Sequence, residues 1–208
     1  DVAYKPKYEW SQLKFLTLRY LMSKIGDKNN LILTFIQPFA IALLLCMAFD
    51  NVSLSLIFVI AITSIWLGAN NAAVEIVNEI NIFKRERQVF LNTHFYIISK
   101  VLILIIFAVI QNLILVSILY INYNDSKVEI NNFIKMWIVM SFVSFFATLL
   151  GLLLSSIFNT SEKVMTALPL ILIPQIIFSG VIIPLTSKFK AFVSFFCISR
   201  WGTEFLAR

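Results

Sequence analysis

WLGANNAAVEIVNEINIFKRERQVFLNTHFYIISK, residues 66–100, decides the fold. It sets a dense cluster of charge (Glu75, Glu79, Lys84, Arg85, Glu86 and Arg87) directly between two strongly apolar runs. The chain is 60% hydrophobic with a mean hydropathy of +0.88. In such a chain, charge held beside apolar spans marks where a soluble partner meets a bilayer protein.

Outward from this hinge, five segments are long and apolar enough to cross a membrane: about 31–49, 54–74, 97–121, 133–158 and 165–185. Each supplies roughly 19 to 26 residues, which at about 1.5 Å per residue covers a hydrocarbon core of about 30 Å. In lipid a helix satisfies its own backbone, so these read as helices. The runs do not alternate apolar with polar, which excludes a membrane barrel. The chain is therefore an all-α membrane protein, a polytopic helix bundle. Its 20 Phe against 5 Gly and 5 Pro leave no low-complexity linker and no second soluble domain.

The net charge of +6 does not point to nucleic acid, because the basic residues flank apolar spans instead of lining one soluble face. Lys5, Lys7, Lys14, Arg19, Lys24 and Lys28 precede the first span, and Lys84, Arg85, Arg87 and Lys100 surround the hinge. Both groups are expected on the cytoplasmic side of an inner (plasma) membrane, with the N-terminus cytoplasmic. The far side is not free of positive charge, since Lys127, Lys135, Lys188, Lys190, Arg200 and Arg208 fall there.

Residues 1–30 read as a cytoplasmic lead with an amphipathic helix from about Tyr8 to Ile25. Phe15, Leu18, Met22 and Ile25 form its apolar stripe, expected in the interface plane. Residues 31–185 form the transmembrane domain. Residues 186–208 form an outer re-entrant segment, whose apolar run of about ten residues is too short to cross. The start at Asp1 without Met suggests a longer polypeptide, and the odd number of spans suggests a sixth beyond the chain end. Cys46 and Cys197 lack the spacing of a disulfide framework or a metal site and read as packing residues.

No catalytic constellation is present: there is no GxxxxGK[ST], no GxSxG and no zinc motif, and His94 stands without a second His or a Cys nearby. The hinge is more informative. Ile76, Ile80, Phe83 and Phe90 follow helical spacing, with both signs of charge on the remaining arc. Mixed charge suits a specific protein contact better than adhesion to anionic lipid. A solvated hairpin with internal ion pairs remains the alternative.

Several motifs in order carry a resemblance: Trp10-Ser11-Gln12 with LTLRY at 16–20, WLGANNAAVEIVNE at 66–79, IFKRERQ at 82–88, GLLLSSIFNTSEKVMTALPLILIPQIIFSGVIIPL at 151–185 and ISRWGTEFL at 198–206. Together they resemble the membrane domain of ABC-2 type transporters, the group that includes the ABCG half-transporters. In particular they resemble bacterial proteins that fuse forkhead-associated, ATP-binding and membrane domains.

The resemblance implies six spans per subunit, a connecting helix at 8–25, a coupling helix at about 78–90 and function as a dimer with a second copy. It implies an ATP-driven exporter whose nucleotide-binding domain lies outside this chain and binds ATP and Mg there. Force from that domain would enter through Glu79, Lys84, Arg85, Glu86 and Arg87, with Arg19 and Lys24 of the connecting helix as their partners. The substrate path would lie between spans two and five, where this sequence offers Thr63, Trp66, Asn70 and Asn71 on one side and Pro169, Pro174, Gln175 and Phe178 on the other. These polar groups serve equally as cavity lining or as glue between helices.

An amphipathic or lipid-like cargo is expected, because the path is apolar and aromatic with few charges. The rival reading is a non-transporting membrane scaffold that recruits a cytoplasmic protein through the charged 75–91 helix. A passive channel is disfavoured by the absence of charged rings or a glycine-rich filter.

Overall fold

A computed structural model describes residues 9–88, 91–123, 130–181 and 188–207. The cations Lys5, Lys7, Lys127 and Arg208, the side chains of Lys188 and Lys190, Phe90 of the expected coupling helix, and 182–187 of the expected fifth span lie outside the described residues. Nine helices are described: α1 (Glu9–Gly26), α2 (Lys28–Ala48), α3 (Leu54–Ala73), α4 (Glu75–Arg87), α5 (Thr93–Asn122), α6 (Ile130–Ile157), α7 (Ser161–Ile177), α8 (Lys188–Phe195) and α9 (Ile198–Ala207). The chain is an all-α, multi-pass membrane domain.

Short polar residues start the long helices. Asp27 accepts from the Asn30 N–H, Ser53 from the Leu56 N–H and Asn92 from the His94 N–H, each satisfying a donor that the first turn leaves orphaned. Helices α2, α5 and α6 are each long and apolar enough to span, as is the nearly continuous run Leu54–Arg87 that holds α3 and α4. Helix α7 continues through Pro169 and Pro174 but ends at Ile177, short of 185. At about 1.5 Å per residue it covers about 25 Å. The chain then turns at Gly180, whose φ of 84° lies in the left-handed region that glycine tolerates.

Helix α3 is the axis of the bundle. Its small residues bring it against α6 almost backbone to backbone: a Cβ on Gly68 would strike the Ser144 carbonyl, and one on Gly151 would strike that of Ala69. Around this contact, Leu56, Ile60, Leu115, Leu119 and Met140 form one buried cluster, while Ile65, Ala147, Leu168 and Leu172 form a second. Because Met140 packs with Ile60, Gly151 with Ala69 and Ser155 with the N-terminus of α4, α6 runs parallel to α3. Helix α9 folds back so that Gly202 lies against Val143. The Gln175 side-chain oxygen caps α9 by accepting from the N–H groups of Ile198 (2.7 Å) and Ser199 (3.3 Å).

Between α3 and α4 the helix breaks at Val74, without Gly or Pro. Val74 offers no side-chain cap to α4. A hydroxyl from a different helix takes that role: Ser155 of α6 accepts from the N–H groups of Ile76 (2.9 Å) and Val77 (3.0 Å).

Candidate coupling site

Helix α1 carries two faces. Phe15, Leu18, Met22 and Ile25, the expected apolar stripe, are exposed, whereas Leu16 and Tyr20 are buried against the bundle. Burial of Tyr20 with Ala72, Ile76, Ile103, Leu104 and Leu152 seats α1 where α3, α4, α5 and α6 converge.

Around that seat lies a charge cluster drawn from three helices. Arg19 of α1 grips Glu86 of α4 with both guanidinium nitrogens, at 2.5 and 3.0 Å. Lys24 of α1 pairs with Glu75 of α4, which also accepts from the Tyr20 hydroxyl. From α5, the Lys100 ammonium lies 2.8 Å from the Glu79 carboxylate and 3.2 Å from the Glu75 carbonyl. It also sits 4.2 Å from the centre of the Tyr20 ring. The Tyr96 hydroxyl donates to Glu79 at 3.1 Å. Three cations (Arg19, Lys24, Lys100) thus face three carboxylates (Glu75, Glu79, Glu86), and the cluster is neutral.

Electrostatics follow from this geometry. The hydrogen bond to Glu86, opposed by partial burial, holds the Arg19 guanidinium above its ordinary pKa. Burial, reinforced by Glu75, pushes the Tyr20 phenol well up, so it stays a neutral donor. Of the coupling residues expected from sequence, Glu79, Glu86, Arg19 and Lys24 meet in this cluster. Lys84, Arg85 and Arg87 are exposed on α4 and make no ion pair among the described residues.

The residues expected along a substrate path separate into two groups. Thr63 and Trp66 line a groove of about 350 Å³ together with Ile41, Val59, Pro169 and Ile173, between α2, α3 and α7. Asn71 instead donates to the Gln111 oxygen at 2.5 Å, and Gln111 donates to the Thr34 carbonyl at 2.7 Å, tying α3, α5 and α2 together. Gln175 is engaged in capping α9. Asn70 and Phe178 are half-buried and Pro174 is exposed, all outside the groove lining.

The ABC-2 type transporter family matches this chain over residues 11–207. The chain belongs to that family. It is similar to the ABC transporter ATP-binding/permease protein Rv1747 of Mycobacterium tuberculosis, with 28% identity over 148 residues. The match covers 67% of this chain and 17% of that relative, so the chain spans a minor part of the relative's length.

Within this ABC-2 membrane domain, Glu75, Lys100, Tyr20 and Tyr96 belong to the charge cluster although the sequence reading assigned them no partners. Lys100 carried a signal: an ionisable side chain inside a long apolar helix is costly unless a partner meets it. The two tyrosines carried none, because their spacing matches any packed helix face. No group of three or more His, Cys, Asp or Glu among the described residues could hold a metal ion.

Proposed function

We propose that this chain is the membrane domain of an ATP-driven exporter in which α4 receives force from a nucleotide-binding domain and α1 passes it with α4 as one body. The observation that carries this reading is the docked α1–α4–α5 charge cluster, which leaves Lys84, Arg85 and Arg87 facing outward. A face of three cations complements an acidic groove on a protein partner. In this reading ATP and Mg would be bound by that partner domain, and the partner is supported by the printed name of the mycobacterial relative.

The groove at Thr63 and Trp66 supports an amphipathic or lipid-like cargo, because its walls are apolar and only Thr63 offers a hydroxyl. Pairing with a second copy would close this open groove into a shared path, worked by alternating access. The N-terminus and α4 would then face the cytoplasm of an inner-membrane protein.

The test is reconstitution of the natural polypeptide with its ATPase domain. Arg85→Glu with Arg87→Glu is expected to lower cargo-stimulated ATP hydrolysis and transport by tenfold or more, about the effect of setting like charges against an acidic face. Thermal unfolding should be unchanged. Unaltered transport in a correctly folded double variant would remove α4 from the path of force.

A further inference from the structure

At the end of the bundle opposite α4, an apolar cavity and a second, partly polar one adjoin at one cation. The first, of about 740 Å³, lies between α6 and the α8–α9 turn, with Phe142, Phe146, Phe196 and Trp201 in its wall. The second, of about 650 Å³, is walled by α3, α5 and α6 through Leu56, Leu119, Tyr120 and Met136. Lys135 and Phe205 line both. Each volume lies within the ~300–1,000 Å³ of small-molecule sites.

Charge at this junction has a sign. Lys135 is exposed and makes no ion pair among the described residues. Glu204, the acid of the first cavity, is held by Arg200 at 2.7 Å. Lys135 and Arg200 contribute +2 and Glu204 contributes −1, leaving +1 among these groups. Tyr120 and Asn132 add neutral hydrogen-bonding groups to the second cavity.

The dimensions indicate one kind of occupant. Along α6, residues 135–146 cover about 16 Å at about 1.5 Å per residue, half of a hydrocarbon core of about 30 Å. With the cation at headgroup level, Phe142 and Phe146 fall at the depth of one leaflet's chains. A partner helix needs one straight groove with its axis ~8–10 Å away, whereas this space is divided in two. Two thin apolar chains joined at an anionic head fit a divided site whose branch point is a cation.

We infer that Lys135 and the two cavities form a resident site for one anionic two-chain phospholipid, with the headgroup phosphate on Lys135 and one acyl chain in each cavity. The site is separate from the Thr63–Trp66 groove and does not depend on the export reading. Lys135 reaches the phosphate because its long stem lets the ammonium stay at the polar boundary.

The test is native mass spectrometry of the delipidated natural polypeptide, titrated with dioleoyl-phosphatidylglycerol, dioleoyl-phosphatidylcholine and single-chain lyso-phosphatidylglycerol. One phosphatidylglycerol per chain is expected, preferred about fivefold over phosphatidylcholine, the scale of one lysine at an anionic head. The lyso lipid should bind more weakly. Lys135→Gln should abolish the headgroup preference, Lys135→Arg should keep it, and Lys163→Gln, a cation at the opposite end, should leave it unchanged. Met136→Trp, which fills the second cavity, should reduce two-chain binding to the lyso level.

Equal binding of both headgroups, or a preference that survives Lys135→Gln, would overturn the inference. So would a photo-crosslinker at position 142 that labels a second copy or another segment of the polypeptide instead of lipid.

Discussion

Lys100 is the residue on which the α4 end of the bundle depends. Its side chain is 1% exposed, and its three ammonium donors find the Glu79 carboxylate, the Glu75 carbonyl and the face of the Tyr20 ring. Removing one partner of a buried pair strands the other, at about 3–5 kcal/mol. Lys100→Met is therefore expected to lower denaturant or thermal stability in detergent by about that amount, and Lys100→Met with Glu79→Gln to recover most of it. Arg19–Glu86 has side chains 40% and 31% exposed. Arg19→Ala should cost no more than about 1 kcal/mol, so this pair sets orientation more than stability.

Tyr20 adds a pH dependence. Its folded pKa is raised, so its contribution is complete below the unfolded phenol value of about 10 and is lost as pH rises past it. The stability gap between the natural chain and Tyr20→Phe should narrow from pH 8 to pH 11 in thermal unfolding. A gap that stays constant would mean that the phenol is not held as a neutral donor.

Among the elements, α4 owes its start to α6. Ser155→Ala should orphan two buried N–H groups at about 1–3 kcal/mol each, and amide exchange at Ile76 and Val77 should speed up while that of α5 does not. The long helices and the exposed stripe of α1 were legible in the sequence, because apolar periodicity acts locally. The break at Val74 was not, since no Gly or Pro marks it and the hydroxyl that caps it lies far along the chain. The division of the polar path residues was hidden for the same reason: whether Asn71 faces a groove or Gln111 depends on a helix it meets only in the folded bundle. Helix α7 stops at Ile177 because of the turn around Gly180, and hydropathy alone does not register that turn.

For the whole molecule, lipid and partner surfaces are arranged by end and by side. The exposed apolar residues of α2, such as Leu33, Ile36, Leu44 and Met47, face outward along the bundle. The groove at Trp66 is open on one side, which is where the proposed second copy would pack. In a cysteine-free background, with Cys46→Ala and Cys197→Ala, Trp66→Cys is expected to give a dimer-sized band with a short bismaleimide in membranes. A monomer band alone, with the thiol still labelled by a small maleimide, would place the second copy elsewhere.

The serine hydroxyl that caps α4 turns the joint at Val74 into a latch. A hinge made by glycine would bend by degrees, each increment costing little. Here α4 either keeps both N–H groups on Ser155 or releases them, and until release any tilt of α4 must drag α6 with it. In the proposed coupling, motion entering at α4 would therefore be stepwise, with a threshold set by two hydrogen bonds.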